Sequence, residues 1–348
     1  MILITGVPGW LGNRFLHILT NGISVQSEIV EKYANDSIRC LVIDKTHIDL
    51  TNDISNRINC VVGDVRDRDT LTDFFQNSKG ATLFHLAGII HPNKKIKDLY
   101  DINSNGVRNI LDIAYKSGVK RAIIVSSNSP IGCNPHNKHI FDESASYNPY
   151  MNYGKSKKLC EDITNEYYKA GKIETVIIRP CWFYGPEQPE RQTLFFNMIK
   201  EGKMPIVGDG NNMRSMSYVD NTCQGLLLAD QVDSAKGQTY WIADERPYSM
   251  NEIINTVKKL LETEFHQVVS RKKFILPSFT SDIAFIADNI IQGFGLYNQK
   301  IHVLSEMNKT IACSINKAKR ELNYDPFIQL EEGMRRSIRW CMDKGFIH

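Results

Sequence analysis

The stretch Thr5-Gly6-Val7-Pro8-Gly9-Trp10-Leu11-Gly12 decides how the rest of the chain is read. It follows an apolar, β-rich run, Ile2–Thr5, and opens a helical stretch near 11–20. Glycines permit the tight turn and a close approach of backbone to ligand, and the helix N-terminus that follows suits a pyrophosphate. The spacing is G-x-x-G-x-x-G, which differs from the dinucleotide form G-x-G-x-x-G. Its weight comes from the strand–turn–helix setting, since a glycine-rich turn can be merely a turn.

Working outward, further strands are expected at Ile38–Ile43, Asn59–Val62, Thr82–Leu86, Ala122–Ser126 and Thr175–Ile178. Several are apolar nearly throughout, as suits strands covered on both faces. Helical stretches near 67–77, 99–117 and 151–170 alternate with them. The pattern predicts an α/β fold, a doubly wound parallel sheet of Rossmann type, with ligand loops at the carboxyl ends of the strands. After Arg179-Pro180, Gly and Pro become frequent, and later helices are expected near 192–201, 249–262, 280–294 and 328–344. Residues 1–180 are therefore expected to form the dinucleotide-binding domain and 181–348 a smaller substrate-binding portion. The region 212–240, with Tyr218–Asp230 at its centre, is a candidate return to the first domain.

The 348 residues carry 42 basic and 39 acidic side chains, a balance with no basic block, which argues against a nucleic-acid binder. The eight cysteines are scattered without C-x-x-C spacing or a histidine cluster, so buried free thiols in a reducing, cytoplasmic setting are expected and no metal is called for. No signal peptide and no run of 18 apolar residues is visible. The segment 274–297 is rich in Ile and Phe with only Asp282 and Asp288 as acids. Core packing is expected of it rather than contact with a lipid or membrane surface, because basic residues are missing from it.

Asp44, after the second strand, is placed to accept hydrogen bonds from ribose hydroxyls and repel a 2′-phosphate, favouring NAD over NADP, while Lys45 keeps NADP open. It lies farther beyond Gly12 than the usual ~20 residues, so an insertion is expected within 21–37. Gly63-Asp64-Val65 follows the third strand near the adenine edge, and His85-Leu86-Ala87-Gly88 ends the fourth beside the cofactor's middle. A strand-end aspartate, a capping aspartate and a core histidine are the plain alternatives, and His85 is read as structural. Tyr153 and Lys157, at i and i+4 on a helix, share one face. A phenol with an ordinary pKa of about 10 is a poor base, and a fixed ammonium beside it favours phenolate. Such pairs also occur as solvated helix faces.

Together these residues resemble the extended short-chain dehydrogenase/reductase family, in its NAD-dependent epimerase/dehydratase branch, from Met1 to about residue 340. The resemblance rests on the T-G-x-x-G-x-x-G turn, Gly63-Asp64, Asn103-Ser104-Asn105-Gly106, Ser126-Ser127, Tyr153-x-x-x-Lys157, Arg179-Pro180, Tyr184-Gly185-Pro186 and Gly208-Asp209-Gly210 leading to Arg214 and Tyr218-Val219-Asp220. It implies Tyr153 as base and acid, Lys157 lowering its pKa and holding the nicotinamide ribose, and Ser127 on the reacting oxygen. It implies cofactor contacts at Gly6, Gly9, Trp10, Leu11, Gly12, Asp44, Asp64, Val65, Leu86, Ala87, Asn103 and Lys157. Asn103 alternatively steadies the neighbouring helix. Substrate contacts are implied at Ser127, Asn128 and Arg214, the last on a diphosphate, where a guanidinium binds two oxygens at once.

Sugar dehydratases of this family carry an acidic pair after the catalytic serine or threonine; Ser127-Asn128-Ser129-Pro130 has none, which disfavours dehydration. Leu276-Pro277, the apolar helix and Ser314–Leu322 look like epimerases of surface-polysaccharide assembly, some of which take lipid-diphosphate sugars. The layout also occurs in the 3-beta-hydroxysteroid dehydrogenase-like branch, and the apolar stretch would suit a lipid-bearing substrate in either. The expectation is a C4 epimerase of a nucleotide- or lipid-diphosphate-linked sugar working through a 4-keto intermediate. A one-way reductase or dehydrogenase and a non-catalytic dinucleotide sensor are the alternatives. The resemblance also implies a homodimer through the helices near 99–117 and 151–170.

Overall fold

A computed structural model describes residues 1–23, 27–52, 54–55 and 57–347. Six strands, β1 (Ile2–Thr5), β2 (Ile38–Val42), β3 (Ile58–Val62), β4 (Thr82–His85), β5 (Arg121–Val125) and β6 (Glu174–Pro180), are joined by a seventh, Thr239–Ile242. From edge to edge the sheet runs Thr239–Ile242, β6, β5, β4, β1, β2, β3, and every pairing is parallel. The chain winds outward from β1 to β3, then returns to the other side of β1 with β4. That reversal is the topological switch point, where a crevice opens at the strands' carboxyl ends.

Alternation along β1 shows why Ile2, Leu3 and Ile4 are all apolar. Ile2 and Ile4 pack into one layer with Phe15, Leu16 and Leu226, while Leu3 packs into the opposite layer with Leu71, Ile110 and Leu111. The first layer holds the helices Trp10–Asn21 and Val219–Gln231, the second Arg68–Phe74, Gly106–Lys116 and Met151–Lys169. A third cluster, built by Tyr184, Tyr218, Ile253, Val257 and Ile338, joins the helices Met250–Thr263 and Leu330–Asp343. Some elements went unread in the sequence: Glu28–Glu31, Thr46–Asn52, Gln299–Glu306 and Asn316–Leu322 are helices too short to show a clear period. The first falls within the expected insertion, of which residues 24–26 lie outside the described residues.

The helical stretch expected over 99–117 is divided. Lys97–Tyr100 passes through a π turn, Asp101–Asn105, before Gly106–Lys116 resumes α geometry. Such turns often occur at functional sites, and this one carries the buried Asn103.

The helix Met151–Lys169 is fastened to the sheet by a buried ion pair. Glu161 accepts from Arg179 Nε at 2.9 Å and Nη2 at 2.6 Å, from the Ser126 hydroxyl at 2.6 Å and from Tyr147 at 2.7 Å. The Arg179 guanidinium also lies over the rings of Trp241 and Tyr147. Removing one partner leaves the other charge buried and unpaired. Glu161→Ala is therefore expected to lower the unfolding free energy by about 3–5 kcal/mol, read from urea melts; a loss below 1 kcal/mol would show the pair to be dispensable.

Candidate active site

The glycine turn sits at the carboxyl end of β1, against the end of β4. Gly6 has φ +90°, and a Cβ there would collide with the backbone of Leu86 and Ala87. Thr5 locks the two strand ends together: its hydroxyl lies 2.8 Å from His85 Nδ1 and accepts from the Ala87 N–H at 3.3 Å. Burial, with the Lys157 charge second, pushes His85 down to about 3, so it serves as a neutral core group. The helix Trp10–Asn21 begins at Gly9 with no acidic residue in its first turn, leaving its positive end uncompensated. Trp10 donates its indole N–H to the Pro186 carbonyl at 2.6 Å, and Arg14 pairs with Asp220. These bonds tie the turn to the later half of the chain.

The two expected ribose and adenine acids make local contacts. Asp44 is exposed, two residues beyond β2, and accepts from the Thr46 N–H and hydroxyl, each at 2.8 Å, which holds its pKa low. Asp64 is held low by Arg66, whose guanidinium and N–H both reach it. Val65 is buried, and a Cβ on Gly106 would strike it, so it seats the start of the helix Gly106–Lys116.

Tyr153, Lys157 and Ser127 converge beyond β4 and β5. Burial pushes the Tyr153 phenol up to about 12, with the nearby Ser127 hydroxyl acting in the opposite direction. The depression expected from Lys157 is therefore not built into the chain alone. The reason is where the ammonium points: Lys157 donates to the Val125 carbonyl at 3.0 Å, and burial lowers its own pKa. The Lys157 Nζ and Asn103 Oδ1 also crowd the space beside Gly88, where a Cβ would come within 3.1 and 3.2 Å of them. Asn103 accepts from the Ile89 N–H and donates to the Ile89 carbonyl, both at 2.9 Å, and donates to Ser156 at 3.1 Å. It clamps the loop after β4 to the Tyr153 helix. Leu86 and Ala87, half-buried, lie in that loop.

Ser127 is buried, its hydroxyl 3.4 Å from Asn128 Oδ1 and 3.3 Å from the Ser129 hydroxyl. Arg214, on the short strand Met213–Arg214, is buried and donates through Nη2 to the Glu306 carbonyl. Its Nε is buried with no partner among the described residues.

Sequence reasoning missed a cluster from three separate segments at the head of the helix Met151–Lys169. His91 Nδ1 lies 2.5 Å from the Tyr297 hydroxyl, and His302 stacks near Tyr297, His91 and Tyr150. Asp288 lies 2.7 Å from His302, and Gln292 accepts from Asn152 at the head of the Tyr153 helix. Asp288 and Gln292 stand one helical turn apart, but no local spacing links His91 or Asn152 to the others. Burial, aided by Arg191 and His302, lowers His91 to about 4. Burial opposes charge on His302 as well, but the Asp288 hydrogen bond and the charges of Glu306 and Asp288 outweigh it and raise its pKa. Asp244, buried and raised to about 7 mainly by desolvation, was also missed; it accepts from Tyr184 at 2.6 Å.

A strand–glycine-turn–helix at the switch point, facing a Ser/Tyr/Lys set, matches a known family model over residues 3–273. The chain belongs to the 3-beta hydroxysteroid dehydrogenase/isomerase family. This is an enzyme family of the extended short-chain dehydrogenase/reductase type. Within reach of it, the chain is 46% identical to the uncharacterized protein y4nL of Sinorhizobium fredii, over 99% of this chain and 96% of that one. It is 28% identical to the N-acetyl-alpha-D-glucosaminyl-diphospho-ditrans,octacis-undecaprenol 4-epimerase of Escherichia coli O157:H7, over 75% of this chain and 72% of the relative. The UDP-glucuronic acid 4-epimerase of Bacillus cereus, solved in complex with NAD, shares the fold with a TM-score of 0.74, 20% identity and 99% coverage of each chain.

The His302–Asp288 pair gives the site a pH signature. A histidine whose folded pKa is raised contributes stability below its ordinary value of about 6.5 and loses it as pH rises through the folded value. The wild-type advantage in melting temperature over Asp288→Asn is therefore expected to shrink as pH climbs past that value; a difference independent of pH would remove the protonated pair.

Proposed function

We propose that the chain is an NAD-dependent epimerase that inverts a secondary alcohol, C4 of a sugar carried on a nucleotide or lipid diphosphate. The observation that carries this reading is the buried Tyr153 phenol, one helical turn before the buried Lys157, whose ammonium lies beside Gly88 and the end of β5, with the buried Ser127 two residues beyond that strand. The glycine turn, with Gly6, Gly9 and Gly12, would hold the pyrophosphate of NAD, Asp44 a ribose, and Lys157 the nicotinamide ribose. NAD supplies a hydride acceptor that can return what it takes. Tyr153 removes the hydroxyl proton and later gives it back, Ser127 holds the reacting oxygen, and burial keeps water from competing. A phenol raised to about 12 is a strong base once ionised, and cationic charge brought close to it favours that ionisation.

Two features support inversion over elimination: Ser127-Asn128-Ser129-Pro130 offers no carboxylate, and the Escherichia coli relative is by name a 4-epimerase of a diphosphate-linked sugar. The diphosphate carrier itself is supported by Arg214, whose buried Nε–H has no partner among the described residues. An incoming phosphate oxygen would satisfy that buried donor. A one-way oxidation of a sterol-like alcohol is the second reading, favoured by the name of the matching family. An active homodimer through the helices Gly106–Lys116 and Met151–Lys169 belongs to the same proposal.

Purified protein incubated with nucleotide-linked and undecaprenyl-diphosphate-linked N-acetylhexosamines, with products followed by NMR, tests the reading. Inversion at C4 without net reduction of added NAD is the expected result. Stoichiometric NADH production with a sterol alcohol instead would overturn it. Tyr153→Phe is expected to cut turnover by about a hundred- to ten-thousand-fold while leaving NAD binding, read by fluorescence titration, within a few-fold.

A further inference from the structure

The segment expected to be core is turned inside out. Along the helix Phe279–Gly293, the residues facing the protein are Ser281, Ala284, Asp288 and Gln292. Most of their polar groups are engaged: Ser281 donates to the Leu304 carbonyl at 2.9 Å, Gln292 donates to Asp288 Oδ2 at 2.9 Å, and the same oxygen reaches His302, while Asp288 Oδ1 has no partner among the described residues. The outward stripe is Phe279, Ile283, Ile286, Ile290 and Phe294, at helical spacing, with exposures from 57% at Ile290 to 80% at Phe294. Ile275 and Leu296 extend the exposed apolar surface at its two ends. An ordinary surface helix shows the reverse, apolar side inward. Contiguous exposed apolar surface of this kind marks an interaction site.

Basic residues, missing from the segment itself, are supplied by the fold. The loop after β4 brings Lys94 and Lys95 to the end of the stripe, where Ile96 N–H donates to the Gly295 carbonyl at 3.1 Å and Tyr297 N–H to the Lys94 carbonyl at 2.9 Å. At the other end, Arg271, Lys272 and Lys273 lead directly into the strand Phe274–Leu276. All five are exposed. The two acids of the segment do not offset them: Asp282 pairs with Lys309 at 2.8 Å, and Asp288 is buried.

We propose that this face docks on an anionic lipid bilayer, the stripe entering the interface and the basic ends meeting the headgroups. A helix lying in the interface plane binds through apolar burial plus attraction to anionic lipids. Charge favours the bilayer over a second copy of the chain, because an isologous contact sets like patches against each other and would bring the basic ends of two copies together. The buried side of the same helix holds Asn152, next to Tyr153, through Gln292. The docked face thus lies one helix thickness from the chemistry, and an acyl-chain-bearing substrate could be met at the bilayer surface. The inference goes beyond the functional reading and stands without it, since its test contains no sugar and no cofactor.

Full-length protein is sedimented with vesicles of phosphatidylcholine alone and with vesicles containing equal phosphatidylglycerol. Binding to the mixed vesicles, weakened by salt and roughly tenfold poorer on phosphatidylcholine alone, is the expected result. Ile290→Glu combined with Phe294→Glu is expected to reduce binding at least tenfold, and Lys94→Glu with Lys95→Glu to erase the preference for phosphatidylglycerol. Both variants replace exposed side chains, and unchanged circular dichroism and melting temperature verify their folding. Wild-type protein left in the supernatant, or variants that bind as wild type does, would overturn the proposal. So would a wild-type dimer that Ile290→Glu splits without any vesicle binding, which would assign the stripe to a second copy.

Discussion

A carboxylate that no solvent reaches holds the helix of Tyr153 and Lys157 in place. Glu161 gathers the Arg179 guanidinium, the Ser126 hydroxyl and the Tyr147 phenol around its two oxygens. Arg179 lies on β6, Ser126 directly follows β5, and Glu161 lies one turn beyond Lys157. Charge-assisted bonds of this kind are shorter and stronger than neutral ones. They fix the rotation of the helix Met151–Lys169 about its axis, and with it the direction in which Tyr153 and Lys157 point. The neighbouring Ser127 is positioned by the same anchor, because Ser126 precedes it on the strand end.

A second set of bonds brings the far half of the chain to this centre. Trp10 and Arg14, on the helix that opens at the glycine turn, reach Pro186 and Asp220. Asn103 clamps the β4 loop to Ser156, and Gln292 clamps the inverted helix to Asn152. The site is thus bounded by elements from both halves, each tied by a part-buried or buried polar contact rather than by apolar packing alone. Polar contacts are directional, so they set orientation as well as proximity.

Much of this was legible in the chain. Continuous apolar runs announced a sheet covered on both faces, and the glycine turn announced a ligand at the end of β1; the sheet has that form. Boundaries shifted by a residue or two, as at β2, which ends at Val42 rather than Ile43. The division of the 99–117 stretch by a π turn was not legible, because the turn serves Asn103's contacts with Ile89 and Ser156, both distant in sequence. Asp44 and Asp64 were readable only as acids at strand ends; their partners Thr46 and Arg66 became visible with the fold. The reading of 274–297 as core failed for a definite reason. Apolar periodicity says that one side of a helix avoids water or meets a partner, but not which side the protein itself covers. Here the buried side is the one whose polar groups find Leu304, His302 and Asn152.

By itself, the sequence determined the layered α/β architecture and singled out the residues proposed for proton transfer, because local periodicity and turn chemistry act over a few residues. Tertiary structure decided what those residues experience. Burial sets the Tyr153 phenol high, the Val125 carbonyl claims the Lys157 ammonium, and His91 meets Tyr297 and His302 only when two distant segments fold together. It also placed Lys94 and Lys95 beside an apolar stripe that lies two hundred positions away along the chain. Desolvation and charge proximity depend on distances through space, and a linear pattern does not contain them.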